Sequence, residues 1–168
     1  STKSQGDILF FLGSVQPIPH MEYGFAMEIL KFARSFGAKM IYTTAAAPSD
    51  MDFQDDPRVF AVPNNKELLR KLMEYKVHFM SEGIIAGLNG LLISIGGEMG
   101  MNGVCLLGEI PFYTAQLEYP RAALKVLQVL VKFLGVDVDT VDLQLYISQK
   151  EKEIAPVASM LMKGGGSG

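Results

Sequence analysis

The chain has 168 residues, enough for about one domain with a core of its own. Apolar residues make up 49% and charged residues 20%, and the net charge is −3. No stretch gathers the Lys and Arg that phosphates demand, so a nucleic-acid partner is excluded. No apolar run reaches the roughly 18 residues of a membrane span, and the polar start "STKSQGD" is not a signal peptide. The expectation is a cytoplasmic protein with no membrane partner. The lone Cys105 cannot form an internal disulfide and reads as a small buried hydrophobe. The absence of an initiator Met reads as a processed, cut or incomplete chain.

In chain order, "DILFFLG" (Asp7–Gly13) is a short continuous apolar run ending in Gly, which predicts a strand buried on both faces. "SVQPIPH" is a Pro-broken loop, and Met21–Gly37 is helix-like, with Glu28, Lys31 and Arg34 marking a narrow exposed strip. Ala38–Thr44 is the next strand, followed by the loop "AAAPSDMDFQDDP". Arg58–Pro63 is a short strand, and Asn64–Lys76 an amphipathic helix with Asn at its cap. A Gly-containing segment (Gly83, Gly87, Gly90) leads into a short helix, then to the buried strand Asn102–Ile110. Pro120 opens a helix whose Arg121, Lys125, Gln128 and Lys132 form one outward polar stripe. A last, more polar helix precedes the flexible tail "KGGGSG". Alternating buried strands and helices predict an α/β fold: three layers, a mostly parallel sheet with helices on both faces. Residues 7–162 form the single expected domain, and 163–168 the tail.

Several constellations are candidates for function. Ser14 and Gln16, at the expected carboxyl end of the first strand, are placed to hold a polar ligand. Gly87, Asn89 and Gly90 in "GLNG" are a candidate backbone cradle for an anion, although the phosphate-loop and dinucleotide patterns are both missing. Glu109 and Glu118 are a conceivable acid–base pair, in a loop that also carries Pro111, Tyr113 and Gln116. Asp50, Asp52, Asp55 and Asp56 share one loop but lack the glycine and the closing Glu of a calcium loop. His20 and His78 have no ligand-spaced partners, so no metal is expected. The methionines of "GEMGMNG" and "SMLMKG" read first as core filling. None of these makes a recognisable catalytic set.

Read in order, "DILFFLGSVQP", "FARSFGAKMIYTTAA", "GIIAGLNGLLISIG" and "GMNGVCLLGEIPFYTAQLEYPRAALKVLQVLVKFLGVDVD" resemble the archaeal branch of the proteasome assembly chaperone 2 family. That branch was once catalogued with predicted ATP-grasp enzymes. The most specific matches are Gly87–Gly90, Leu106–Glu109, Pro111 with Tyr113, and Pro120–Ala123. The resemblance implies a nucleoside-phosphorylase-like fold without a cofactor. It also implies a non-catalytic role in binding proteasome α-subunits and assisting proteasome assembly, as a homo-oligomer. Two departures stand out: the family's additional N-terminal strand–helix unit is absent, and so is the hydrophobic-Tyr-X tail that docks some members. An ATP-dependent ligase or nucleoside-binding enzyme of the same fold, or an oligomeric scaffold, are the alternatives. In the signature itself, Pro111 and Pro120 are expected to fix the loop's path, and Ala122 and Ala123 to permit close helix–sheet packing.

Overall fold

A computed structural model describes residues 6–75, 77–80, 85, 87–115 and 117–164, and of 161–164 the backbone only. Gly83, Gln116 and the last four residues of the Gly/Ser tail lie outside the described residues. The elements are α1 (Glu22–Ser35), β1 (Met40–Ser49), β2 (Val59–Pro63), α2 (Lys66–Leu72), β3 (His78–Phe79), α3 (Gly87–Glu98), β4 (Asn102–Pro111), α4 (Pro120–Leu134) and α5 (Val141–Gly164). Single 3₁₀ turns occupy Pro19–Met21 and Phe112–Thr114. The strands form one sheet in the order β1-β4-β2-β3. Asn102 N–H donates to Lys39 C=O, so β1 and β4 start side by side and run parallel. Asn64 N–H reaches Gly103 C=O, and Glu109 N–H reaches Arg58 C=O, so β2 runs antiparallel to β4. The fold is α/β, as the alternation of buried strands and helices implies, and its sheet is mixed.

Helix ends follow their sequence signals. Asn65 caps α2 by accepting Leu68 N–H at 2.8 Å. Pro120 takes the first position of α4, and Gly135 closes that helix in the left-handed conformation at φ 64°. β1 runs on to Ser49, five residues past the expected strand end.

Two compact units divide the chain. The first comprises Ser1–Thr43, Ala61–Glu74 and Met80–Cys105. Its core joins Ala26 and Leu30 of α1 to Leu88, Leu92 and Ile95 of α3, with Met101 beside them. Cys105 is fully buried here, and burial pushes its thiol pKa up, as expected of an inert hydrophobe. The Asn64 amide knits this unit together. Its Nδ2 donates to Ile93 C=O at 3.1 Å and to Met101 C=O at 3.0 Å, and its Oδ1 accepts Gly103 N–H at 3.0 Å. A Cβ on Gly97 or Gly103 would lie 3.1 Å from that amide nitrogen, so both glycines leave it room.

One expectation fails in this unit. Asp7–Gly13 is not a strand, and Ile8–Leu12 are exposed by 47 to 88%. An apolar run becomes a doubly buried strand only when other segments supply a ladder partner and two covering layers. None of the described strands pairs with it.

The second unit comprises Thr44–Phe60, Tyr75–Phe79 and Leu106–Gly168. Its core gathers Phe53, Ile110, Tyr119 and Ala122 with Ile154 and Ala158 of α5. Gly108 admits α4, because a Cβ there would stand 3.1 Å from both Cβ and C=O of Ala122. Ala122 therefore does the close packing expected of the alanine pair, whereas Ala123 is exposed. The polar stripe of α4 is not wholly outward either. Arg121 and Lys125 are half-buried and ion-paired, to Glu151 at 2.6 Å and to Asp56 at 2.7 Å. Of the two methionine runs, the first places Met101 in the core and the second leaves Met160 73% exposed.

Replacing Asn64 with Ala should cost about 2–3 kcal/mol, since it removes the acceptor of the Gly103 N–H and one donor each from the carbonyls of Ile93 and Met101. Urea denaturation of the variant against the parent checks this.

Candidate functional site

The sequence places a glutamate near the carboxyl end of the most buried strand, and a buried carboxylate needs partners. Glu109 is 2% exposed. Arg58 Nε donates to its Oε2 at 2.8 Å, and Arg58 Nη2 to its Oε1. Ser49 Oγ donates to Oε1 at 2.8 Å, and Arg58 N–H to Oε2 at 3.1 Å. Four donors thus fill the two oxygens, which is about what a carboxylate accepts. The Arg58 guanidinium, opposed by burial and assisted by Ser49, holds the Glu109 pKa down at about 2.

The two ends of one loop meet at this carboxylate: Ser49 closes β1 and Arg58 directly precedes β2. The rest of the loop is held by the segment that follows Glu109. Tyr113 Oη accepts Phe53 N–H at 3.0 Å, and Tyr119 Oη donates to Phe53 C=O at 3.0 Å. Arg121 Nη1 donates to the carbonyls of Gln54 at 3.2 Å and Asp55 at 3.3 Å. The loop also folds on its own acids: Asp52 N–H donates to Asp55 Oδ2 at 2.9 Å, and Gln54 N–H to Asp52 Oδ1 at 3.1 Å. Burial pushes the Tyr119 phenol up to about 12, so it stays a neutral donor across the physiological range. Ser49, Arg58 and Glu109 line an open cleft of about 690 Å³ together with Asp50, Asp55 and Asp56.

This arrangement holds a charge and does not move a proton. A base with a pKa near 2 and no free lone pair is poorly matched to general catalysis at neutral pH. Ser49 donates to Glu109 and accepts Met51 N–H at 3.2 Å, so its hydroxyl is spent on the same loop. Glu118 has partners of its own, Tyr146 Oη at 2.6 Å and Lys150 at 4.0 Å, and shares none of those on Glu109. Among the described residues no group of three or more His, Cys, Asp or Glu is placed to hold a metal.

The other sequence candidates fall elsewhere. Pro111 ends β4, buried, directly before the turn that carries Tyr113. Ser14 and Gln16 are exposed and follow no strand. Gly87 starts α3 itself, at φ 71°, so "GLNG" is the first turn of the helix and not a loop before it. Glu22 Oε1 lies 3.6 Å from where a Gly87 Cβ would be, so the protein sets its own carboxylate against that helix start. Asn89 is half-buried in the same turn. Gly90 is needed for close approach, since its Cβ would fall 1.9 Å from Ile85 C=O. The pattern missed Ser49, Arg58 and the part played by Tyr119. The signal for Arg58 was present: a buried Glu calls for a cation, and Arg58 is the Arg at the edge of the next apolar strand.

The fold and the site define an α/β protein whose buried charge staples a loop. The chain belongs to the PAC2 family, whose model matches residues 1–158. It is similar to an uncharacterized protein of Methanocaldococcus jannaschii, 30% identical over 82% of this chain and 52% of that one. Among solved structures it is similar to Pyrococcus furiosus PbaB, an archaeal proteasome activator. That pair is 28% identical with a TM-score of 0.76, over 86% of this chain and 62% of that one. Pyrococcus furiosus PbaA, an archaeal homolog of proteasome-assembly chaperone, shares the fold at TM-score 0.76 and 24% identity, over 90% of this chain and 62% of that one. The chain spans about half the length of the curated relative it matches. No helix among the described residues is long and apolar enough to cross a membrane.

Glu109→Gln should lose about 3 kcal/mol of stability at pH 7, from the fall of the pKa from 4.5 to about 2. A depressed carboxylate contributes fully above its unfolded pKa. The gap between parent and variant should therefore shrink as the pH falls from about 4.5 towards 2, as read by denaturation at pH 7, 4 and 2.5. Tyr113→Phe and Tyr119→Phe should each cost about 1 kcal/mol and speed amide exchange at Phe53–Asp55.

Proposed function

We propose that this chain is a non-catalytic, chaperone-like protein that binds proteasome α-subunits and assists proteasome assembly, in the cytoplasm and as a homo-oligomer. Membership of the PAC2 family and likeness to PbaB and PbaA support the partner. The observation that carries the non-catalytic part is Glu109, whose two oxygens are taken up by Ser49 and Arg58. Glu109, Pro111 and Tyr113 act in this reading by holding the Asp50–Pro57 loop in one shape for a partner. A binding surface gains affinity when its loops are already ordered, because ordering them on contact costs free energy. Ser14 and Gln16, and the first turn of α3 with Gly87, Asn89 and Gly90, serve as secondary contacts.

Native mass spectrometry of the chain co-expressed with proteasome α-subunits should show a complex, and Tyr113→Phe with Tyr119→Phe should weaken it several-fold while the fold persists. No complex under any condition sinks the reading. Thermal shift with nucleotides and Mg²⁺ should leave the melting point unmoved. A rise of several degrees would favour the ligase or nucleoside-binding alternative.

A further inference from the structure

The first unit carries an open cleft of about 720 Å³, a size that small ligands occupy. It shares no lining residue with the cleft at Glu109. One wall is a chain of three amides, Asn64, Asn65 and Asn102. Asn65 Oδ1 accepts Leu68 N–H at 2.8 Å, which turns its Nδ2 the other way. That nitrogen donates to Asn64 Oδ1 and to Asn102 Oδ1, each at 2.9 Å, so both its hydrogens are spent. Asn64 is equally full, with two carbonyls on Nδ2 and with Asn65 and Gly103 N–H on Oδ1. The helix cap therefore sets the sense of the whole chain, and Asn102 is the amide with capacity left over. Its Nδ2 makes no hydrogen bond among the described residues, so the cleft holds a donor group of fixed orientation.

The helix α3 supplies the opposite character. Ser94 and Glu98 line the cleft four residues apart, on one face of the helix. Both are exposed, and neither side chain makes a hydrogen bond among the described residues. Glu98 is the last residue of α3, at the negative end of the helix dipole, where a cation is favoured and a carboxylate is not. The last turn carries no basic residue to offset it. The helix end is already closed, by Gly100 N–H on Gly97 C=O at 3.0 Å and Met101 N–H on Gly96 C=O at 2.8 Å. No Lys, Arg or His is among the described lining residues. Lys39, whose C=O accepts Asn102 N–H, and Lys66, next to Asn65, form no ion pair with Glu98 among the described residues. An uncompensated anion and a fixed amide donor together select a ligand that is positive at one end and an acceptor at the other.

We propose that this cleft binds an ammonium or guanidinium group that has an amide carbonyl close by. Glu98 receives the cation, Asn102 Nδ2 donates to the carbonyl, and the Ser94 hydroxyl bonds beside Glu98. A free amine and a lysine or arginine side chain of a protein share that chemistry. The site uses no residue of the Ser49–Arg58 loop and stands apart from the chaperone reading.

Nuclear magnetic resonance titration of the isotope-labelled chain with N-acetylarginine amide should move the Ser94, Glu98 and Asn102 amide signals saturably. N-acetylcitrulline amide, the neutral isostere, should bind about fivefold more weakly, the upper end for a partly exposed ion pair. Agmatine, which keeps the guanidinium but lacks the carbonyl, should also bind more weakly. Glu98→Gln should bring the arginine amide down to the citrulline level and leave citrulline unchanged, with the circular dichroism intact because the side chain is exposed. A pentapeptide with a central arginine that binds more tightly than the amide points to a protein side chain as the natural ligand, and equal affinity points to a free amine. No saturable shift with any of these probes overturns the proposal. So does citrulline binding as tightly as arginine on the parent chain, a comparison that needs no variant.

Discussion

A carboxylate inside an apolar strand sets the terms for the second unit. Glu109 can stay ionised at 2% exposure only because four donors converge on it, and those donors come from both ends of one loop. The end of β1, the start of β2 and the carboxyl end of β4 are thereby tied at a single point. Desolvating such a charge costs several kcal/mol, which its partners must offset. Loss of Ser49 or Arg58 would therefore be felt at Glu109 more than at its own position. The aromatic and cationic groups that follow Glu109 extend the same task along the loop. Tyr113 and Tyr119 take the two backbone groups of Phe53, and Arg121 takes the next carbonyls.

The first unit has a neutral counterpart in Asn64. Its amide joins the end of β2, the interior of α3 and the start of β4 through hydrogen bonds alone. Both devices tie segments far apart in sequence, and that of Asn64 relies on nearby glycines for room. Gly97 and Gly103 flank Asn64, while Gly108 lets α4 approach β4 next to Glu109. Packing, more than hydrogen-bonding capacity, decides where such polar ties fit.

Most of the fold was legible because it rests on local signals. Asn65 as a cap, Pro120 at a helix start, and Gly37 and Gly135 after helix ends all act where the sequence puts them. β4 was legible from its apolar run. Asp7–Gly13 was not, because whether an apolar run pairs depends on strands elsewhere. The polar stripe of α4 misled for a related reason. Periodicity tells which residues share a face, but it cannot tell that Glu151 of α5 and Asp56 of the loop lie opposite Arg121 and Lys125. At the site, Glu109, Pro111 and Tyr113 were found from the motif, yet their chemistry was not. The acid–base pairing of Glu109 with Glu118 looked open only while the claims of Ser49 and Arg58 on Glu109, and of Tyr146 on Glu118, were unseen.

Pinning both ends of the Ser49–Arg58 loop to one side chain separates the loop's length from its sequence. A closure fixed at its base costs little more when the span grows, since the entropy rises only with the logarithm of length. Between those pins Phe53 is a further fixed point, buried in the core and held by Tyr113 and Tyr119, so only the exposed residues around it are free to vary. Substitutions at the exposed Asp50 or Gln54 leave the anchor untouched, whereas a one-residue shift of either end would pull Ser49 or Arg58 off the carboxylate. The exposed positions of the loop can thus change without disturbing the glutamate that fixes its ends.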